Sequence, residues 1–135
     1  MSEFLEWVRE WFGVDLSDLY LIRSGKKRIR GTTMEAGGLE IGDVIRGIYL
    51  AKKAPYGYII SIEGSFIVGK WATKHVVELD DEQFSRWMKG EDLVLELPER
   101  GVYIVRYGPI FAGSGFYSGK VLQNLIPKSR TIEES

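Results

Sequence analysis

The stretch SIEGSFIVGKWATKHVVELDDEQFSRWMKGEDL, Ser61 to Leu93, decides how this chain is read. It divides near Leu79. On its N-terminal side, together with the residues just before it, "GYIISIEG" and "SFIVGKW" are rich in β-branched and aromatic residues. They predict two strands joined by a tight turn at Glu63-Gly64-Ser65, and "KHVVELD" closes the run. On its C-terminal side the pattern predicts a helix from Asp81 to Lys89. Asp80 stands where an N-cap belongs, and Gln83 three residues on can return the capping-box hydrogen bond. Leu79 and Phe84 occupy the hydrophobic-staple positions. Phe84, Trp87 and Met88 form an apolar stripe, and Gly90 offers a left-handed stop.

Toward the N-terminus a second helix is predicted over Ser2 to Phe12. Phe4, Leu5, Trp7, Val8, Trp11 and Phe12 recur at three- and four-residue spacing. Ser2 can cap its start and Gly13 can end it. This aromatic face is expected to dock on the chain's own core; a partner-binding face is the alternative. A short helical turn, "DLSDLY", is expected next. From Tyr20 the signal becomes β: "YLIR" and "RIRGTT" flank "SGKK", which suits a hairpin. "GGLEIGDVIRGIYLA" reads as short strands with bends. After the central helix, "GVYIVRYG", "IFAGSGFY" and "KVLQNL" predict three strands with glycine turns. The fold class is therefore α+β, mainly β: a small, partly closed β-barrel with an N-terminal amphipathic helix and one inserted helix. With 135 residues one compact unit is expected. Its parts are residues 1–56, the helix and a basic β segment packed on the barrel; 57–130, the barrel core; and 131–135, a frayed tail.

Composition narrows the chemistry. No apolar run approaches the roughly 20 residues of a membrane span. The acidic, amphipathic start does not read as a secretory signal, so a cytoplasmic location is expected. Cysteine is absent and His75 is the single histidine. Thiolate catalysis and cysteine-ligated zinc are excluded, and neither a metal nor another cofactor is expected. Plentiful Glu, Lys and Arg with few amides is a thermophile-like composition.

The net charge of −1 conceals segregation. Residues 1–19 carry −4, 20–77 carry +6, 78–99 carry −6 and 100–130 carry +5. Folding can therefore gather a basic face that the average hides.

The central stretch also resembles the PUA-like RNA-binding module of the Sun/Nop group of RNA cytosine-5 methyltransferases. That module carries a Ser-Ile-Glu-Gly turn, a Lys-Ala-Thr-Lys strand entry and an acidic helix ending in Trp, a basic residue and Gly-Glu. Here the second element stands as Lys70-Trp71-Ala72-Thr73-Lys74, with Trp71 inserted, and the third as Trp87-Met88-Lys89-Gly90-Glu91. "GVYIVRYG", a glycine-rich strand and "LQNLIPKSR" resemble its ending. The likeness runs from about Gly57 to Arg130. It implies a PUA-like barrel and contact with tRNA or rRNA. The catalytic cysteine of that enzyme group has no counterpart here, and the chain is too short for its S-adenosylmethionine domain as well. The resemblance therefore implies the accessory domain alone, as a stand-alone chain that does not itself methylate.

Candidate RNA contacts follow. Arg23, Lys26, Lys27, Arg28 and Arg30 form a cluster suited to phosphate, and strand alternation puts Arg28 and Arg30 on one face. The alternative is a solvated hairpin. Lys70 and Lys74 flank Trp71, which reads either as a ring for stacking an unpaired base or as a core Trp with snorkelling lysines. Tyr56, Tyr58, Phe116 and Tyr117 are further stacking candidates. Lys120 adds a cation to the last hairpin. In the C-terminal segment Asn124 can read a base edge or hold a turn. Pro127 sets the chain direction, and Lys128 and Arg130 are expected on one side of an extended segment. "GSGFYSG" looks like a phosphate loop, but no helix pattern follows it, so a strand hairpin is expected. His75 reads as a strand-surface residue, or as a stacking residue. Asp80, Asp81 and Glu82 suit a helix start without a metal.

The function these residues predict is non-catalytic RNA binding, assisting an RNA-modifying enzyme in trans. The alternative is a protein-interaction adaptor using Trp7, Trp11 and Phe12. A small-molecule enzyme lacks any acid, base and nucleophile set.

Overall fold

A computed structural model describes residues 2–25, 27–33 and 47–132. Lys26, and most of the glycine-rich stretch read above as short strands with bends, lie outside the described residues. The elements run α1 (Ser2–Phe12), β1 (Leu19–Ser24), β2 (Arg28–Thr33), β3 (Ile48–Ala54), β4 (Gly57–Ile60), α2 (Ile62–Gly69), β5 (Val76–Glu78), α3 (Asp81–Met88), β6 (Leu93–Val94), β7 (Gly101–Tyr107), β8 (Ile110–Tyr117) and β9 (Val121–Asn124). A 3₁₀ turn at Lys128–Arg130 follows. The strands form two sheets, an antiparallel meander β1-β2-β3-β4 and a five-stranded sheet ordered β5-β7-β8-β9-β6. In the second sheet β5 runs parallel to β7. The sheets include a curled half-barrel, so the fold is the mainly-β α+β class that the sequence predicts. Among the described residues no helix is long and apolar enough to cross a membrane.

Helix α1 spans the predicted residues. Phe4, Val8 and Phe12, at four-residue spacing, are fully buried against the first sheet and β7. Burying each such side chain is worth about 1.5–3 kcal/mol. Trp7 and Trp11 rest on glycines. A Cβ on Gly57 would come within 2.6 Å of the Trp7 Nε1, and one on Gly101 would collide with the Trp11 ring. The Trp11 Nε1–H donates to the Val102 carbonyl at 2.6 Å. Phe4, Val8 and Phe12 are thus taken up by the protein's own core, as expected, while Trp7 and Trp11 stay half-buried at its edge. The expected helical turn after it is instead an Asx turn. Asp15 Oδ1 accepts from the Ser17 N–H at 2.8 Å, and β1 begins at Leu19. An aspartate two residues before a free N–H favours this local bond over helix.

The largest departure lies in the stretch quoted first. Residues 62–69 form a helix, not the turn and second strand of a hairpin, so the fold carries two inserted helices. Ser61 caps α2, its Oγ accepting the Gly64 N–H at 2.8 Å. The helix is wedged between β3 and β8. Gly64 lies so close to β3 that a Cβ would strike the Leu50 carbonyl oxygen. Ser65 is fully buried, and its Oγ donates to the Ile62 carbonyl at 2.6 Å and accepts the Gly113 N–H at 3.0 Å. A short apolar run buried on several sides has no polar face to reveal its period, so strand and helix look alike in sequence.

Helix α3 follows the prediction. Asp80 and Gln83 make the reciprocal capping box, at 2.8 and 3.0 Å. Trp87 is fully buried, and its Nε1–H donates to the Ala112 carbonyl at 2.9 Å. The "GSGFYSG" segment is strand, as expected: β8 pairs with β7 and β9 on either side.

Candidate nucleic-acid interface

The outer face of the first sheet carries Arg28 and Arg30, whereas Arg23, the cross-strand partner of Ile29, stands on the other face toward α1. Ile29 points inward and is buried. Arg28 pairs with Lys52 and Arg30 with Tyr49 across the β2–β3 ladder. A register shift between Ile29 and Arg30 brings both guanidinium groups over one ring. Their Cζ atoms lie 5.5 and 6.0 Å from the Tyr49 centroid. Burial raises the Tyr49 pKa, and the two arginines oppose that shift without reversing it. The phenol is therefore a neutral hydrogen-bond donor at physiological pH. Arg30 also donates to the Gly47 carbonyl at 3.4 Å. Among the described residues no carboxylate pairs with Arg23, Lys27, Arg28 or Arg30. Lys53 differs, being paired with Glu3 at 3.1 Å. Arg23, Lys27 and Lys53 line a polar groove toward α1 together with the Glu3 carboxylate.

Tyr49 also lines a cleft of about 210 Å³ between the first sheet, the start of α2 and the C-terminal segment. Ile59, Ile62, Leu125 and Ile126 supply apolar walls, and Pro127, Ser129 and Arg130 close the far side. Arg130 Nη1 lies 2.8 Å from the Glu63 carboxylate, so the C-terminal segment is tied to the first turn of α2. The segment is a 3₁₀ turn and not extended. At three residues per turn this separates Lys128 and Arg130 around the axis instead of placing them on one side.

Asn124 is committed inside the protein. Its Nδ2 donates to the carbonyls of Trp87 at 2.8 Å and Glu91 at 3.2 Å, and its Oδ1 accepts the Ile126 N–H at 2.9 Å. Its own N–H donates to Asp92 at 2.8 Å. The amide adds a second donor to the Trp87 carbonyl, which also accepts the Gly90 N–H at 3.0 Å, and brackets the turn into the cleft wall. Beyond it, the Ile132 N–H donates to the Met88 carbonyl at 2.7 Å.

Trp71 stands just past α2, 66% exposed, which sets aside the core alternative. The Lys70 ammonium lies 5.3 Å from its ring centroid, a cation–π distance. Lys74 is exposed nearby in sequence. The eight residues of α2 rise about 12 Å, so the cleft and Trp71 mark opposite ends of one short helix. Lys120 is exposed in the β8–β9 turn and is not part of the cleft lining.

Other aromatic candidates turn inward. Tyr58 and Tyr117 are 4% and 3% exposed. Tyr56 and Phe116 are half-buried and stack on each other with centroids 4.3 Å apart. His75 is not a surface residue. Its side chain is 8% exposed, lies flat on Trp11, and bonds the Trp11 carbonyl through Nδ1 and Glu99 through Nε2 at 3.0 Å. The expected exposure failed because His75 has φ +61, which turns the side chain out of strand alternation.

Tyr49 and Glu63 line the site without having been singled out from sequence. Tyr49 gains its role through a register set across a long connection. Glu63 was assigned to a hairpin turn, whereas the N-terminal turn of α2 aims it at Arg130.

The stretch from 74 to 132 matches the family model of the methyltransferase RsmF PUA domain, a little under half of the chain. The match takes in β5 through β9, α3 and the C-terminal 3₁₀ turn, and it is to an accessory domain, not a catalytic one. It begins after α2, so the Ser-Ile-Glu-Gly segment of the resemblance lies outside it. No curated protein matches the chain.

Proposed function

We propose, from the premise that residues 74–132 form a PUA-like domain of the Sun/RsmF methyltransferase type, that this chain binds RNA without catalysing its modification. The substrate class is tRNA or rRNA, and the chain serves an RNA-modifying enzyme acting in trans. The observation that carries this reading is the placement of Arg28 and Arg30 together over Tyr49, at a cleft whose opposite wall is the C-terminal basic segment. Cations that pair with no carboxylate among the described residues favour a polyanion. Half-buried and exposed rings beside them suit unpaired bases. Arg23, Lys27, Arg28 and Arg30 grip the backbone, and Lys26, which lies outside the described residues, is proposed as a contact with them. Arg130 and Lys128 hold the far side, and Lys70, Trp71 and Lys74 extend the track along α2. Lys120 makes an outlying contact, and Asn124 contributes by holding the segment in place.

The test is a fluorescence titration with a tRNA transcript across a salt series. Affinity should fall steeply as salt rises, and replacing both Arg28 and Arg30 with Ala should reduce the slope by about 0.7–0.9 for each lost phosphate contact. Salt-insensitive binding, or none at micromolar protein, overturns the proposal.

A further inference from the structure

Backbone contact alone does not use the cleft. Its volume of about 210 Å³ lies below the roughly 300–1,000 Å³ of sites that enclose drug-sized ligands, which suits one heterocycle and not a dinucleotide. Its walls are mostly aliphatic, a surface that takes the flat face of a ring. Its polar groups are few. The Ser61 hydroxyl is spent on the Tyr49 carbonyl at 2.7 Å and on the α2 cap. Besides the Tyr49 and Ser129 hydroxyls, Arg130 and Glu63 remain, 2.8 Å apart and each about half exposed. Together they offer N–H donors beside carboxylate acceptors. A base edge offers the complement, an amino or ring N–H beside a ring nitrogen or carbonyl oxygen. Glu63 is also the one carboxylate among the described lining residues, and Arg130 offsets it, so the lining carries no net charge and the unneutralised cations are Arg28 and Arg30 over Tyr49.

We propose that this cleft receives a single unstacked nucleobase, with the Arg130–Glu63 pair opening to meet the base edge and Arg28 and Arg30 holding flanking phosphates. The inference rests on the RNA-binding reading above and adds a defined base site to it. An apolar peptide side chain fits the walls equally well, but it brings no charge for Arg28 and Arg30, which pair with no carboxylate among the described residues. A flipped base brings its own phosphates.

The experiment uses the full chain and an unstructured ten-nucleotide RNA. One series places 2-aminopurine at successive positions, and a parallel series replaces the same positions by an abasic nucleotide. A single position should change fluorescence strongly on binding, and loss of the base there should weaken affinity about 10-fold, the scale of one base contact. Leu125→Trp, which fills the cleft from its wall, should abolish the difference between intact and abasic RNA while leaving the salt slope intact. Glu63→Gln, which removes the carboxylate from the edge contact and with it the ion pair to Arg130, should change the base preference at that position while the salt slope stays as it was. Equal tolerance of abasic sites at every position, with salt-dependent binding retained, overturns the base site and leaves the RNA reading standing. A responsive position that Leu125→Trp and Glu63→Gln both leave unchanged places the base elsewhere and also overturns it. Absence of any RNA binding overturns both.

Discussion

The imidazole of His75 lies parallel to the indole of Trp11, with ring centroids 3.7 Å apart and planes within 2°. Its Nδ1 bonds the Trp11 carbonyl, so one side chain fastens the end of α1 to the start of the second sheet. The cost is a left-handed backbone at a non-glycine residue. His75→Ala should destabilise the fold by about 2 kcal/mol, through the lost stack and the space left behind. His75→Gly loses the same contacts but relieves the backbone. Gly should therefore be the milder substitution in chemical denaturation.

Asn124 links three elements through one amide. Asn124→Ala should cost about 1–3 kcal/mol, because it leaves the part-buried Ile126 N–H without its partner and takes a donor from the Trp87 and Glu91 carbonyls. Asn124→Asp should be worse, since it replaces two donors with an anion facing the Trp87 and Glu91 carbonyl oxygens. Urea unfolding of the three proteins checks the order.

Trp71 makes the opposite prediction. Its exposure means that Trp71→Ala should alter stability by no more than about 0.5 kcal/mol. RNA affinity should nevertheless fall about 5–10-fold, the scale of one lost stacking platform. Melting curves and RNA titrations on the same preparation separate the two effects. Unchanged RNA affinity would remove Trp71 from the interface.

Glu78 gives a pH signature. Its carboxylate accepts from Arg106 at 2.6 Å and from the Gly108 N–H at 2.9 Å, and these bonds lower its pKa, the arginine bond most. The native state therefore binds the proton less tightly than the unfolded chain does. The stabilisation is present above the ordinary glutamate pKa and is lost as pH falls from there through the lowered native value. Glu78 is half exposed, so the effect is small and screened. Arg106→Gln should flatten the acid limb of the stability–pH curve while leaving its neutral-to-alkaline side parallel to wild type. An unchanged acid limb would show that the pair contributes nothing measurable.

Local spacing in the chain was enough to determine α1, the capping box of α3, the β7–β9 strands and the shared face of Arg28 and Arg30. Each depends on periods of 3.6 or 2 residues, or on a cap a few residues away. It was enough, too, for the PUA-like resemblance, which the family match supports over residues 74–132. Tertiary structure alone decided the rest. Residues 62–69 became helix because two sheets enclose them, leaving no polar face to mark a period. Tyr49 came under two arginines through a register that local spacing does not set. Glu63 met Arg130, and His75 turned in to Trp11, across gaps of more than 60 residues. Such pairings are chosen by which surfaces pack together, and residue spacing along a chain carries no record of that choice.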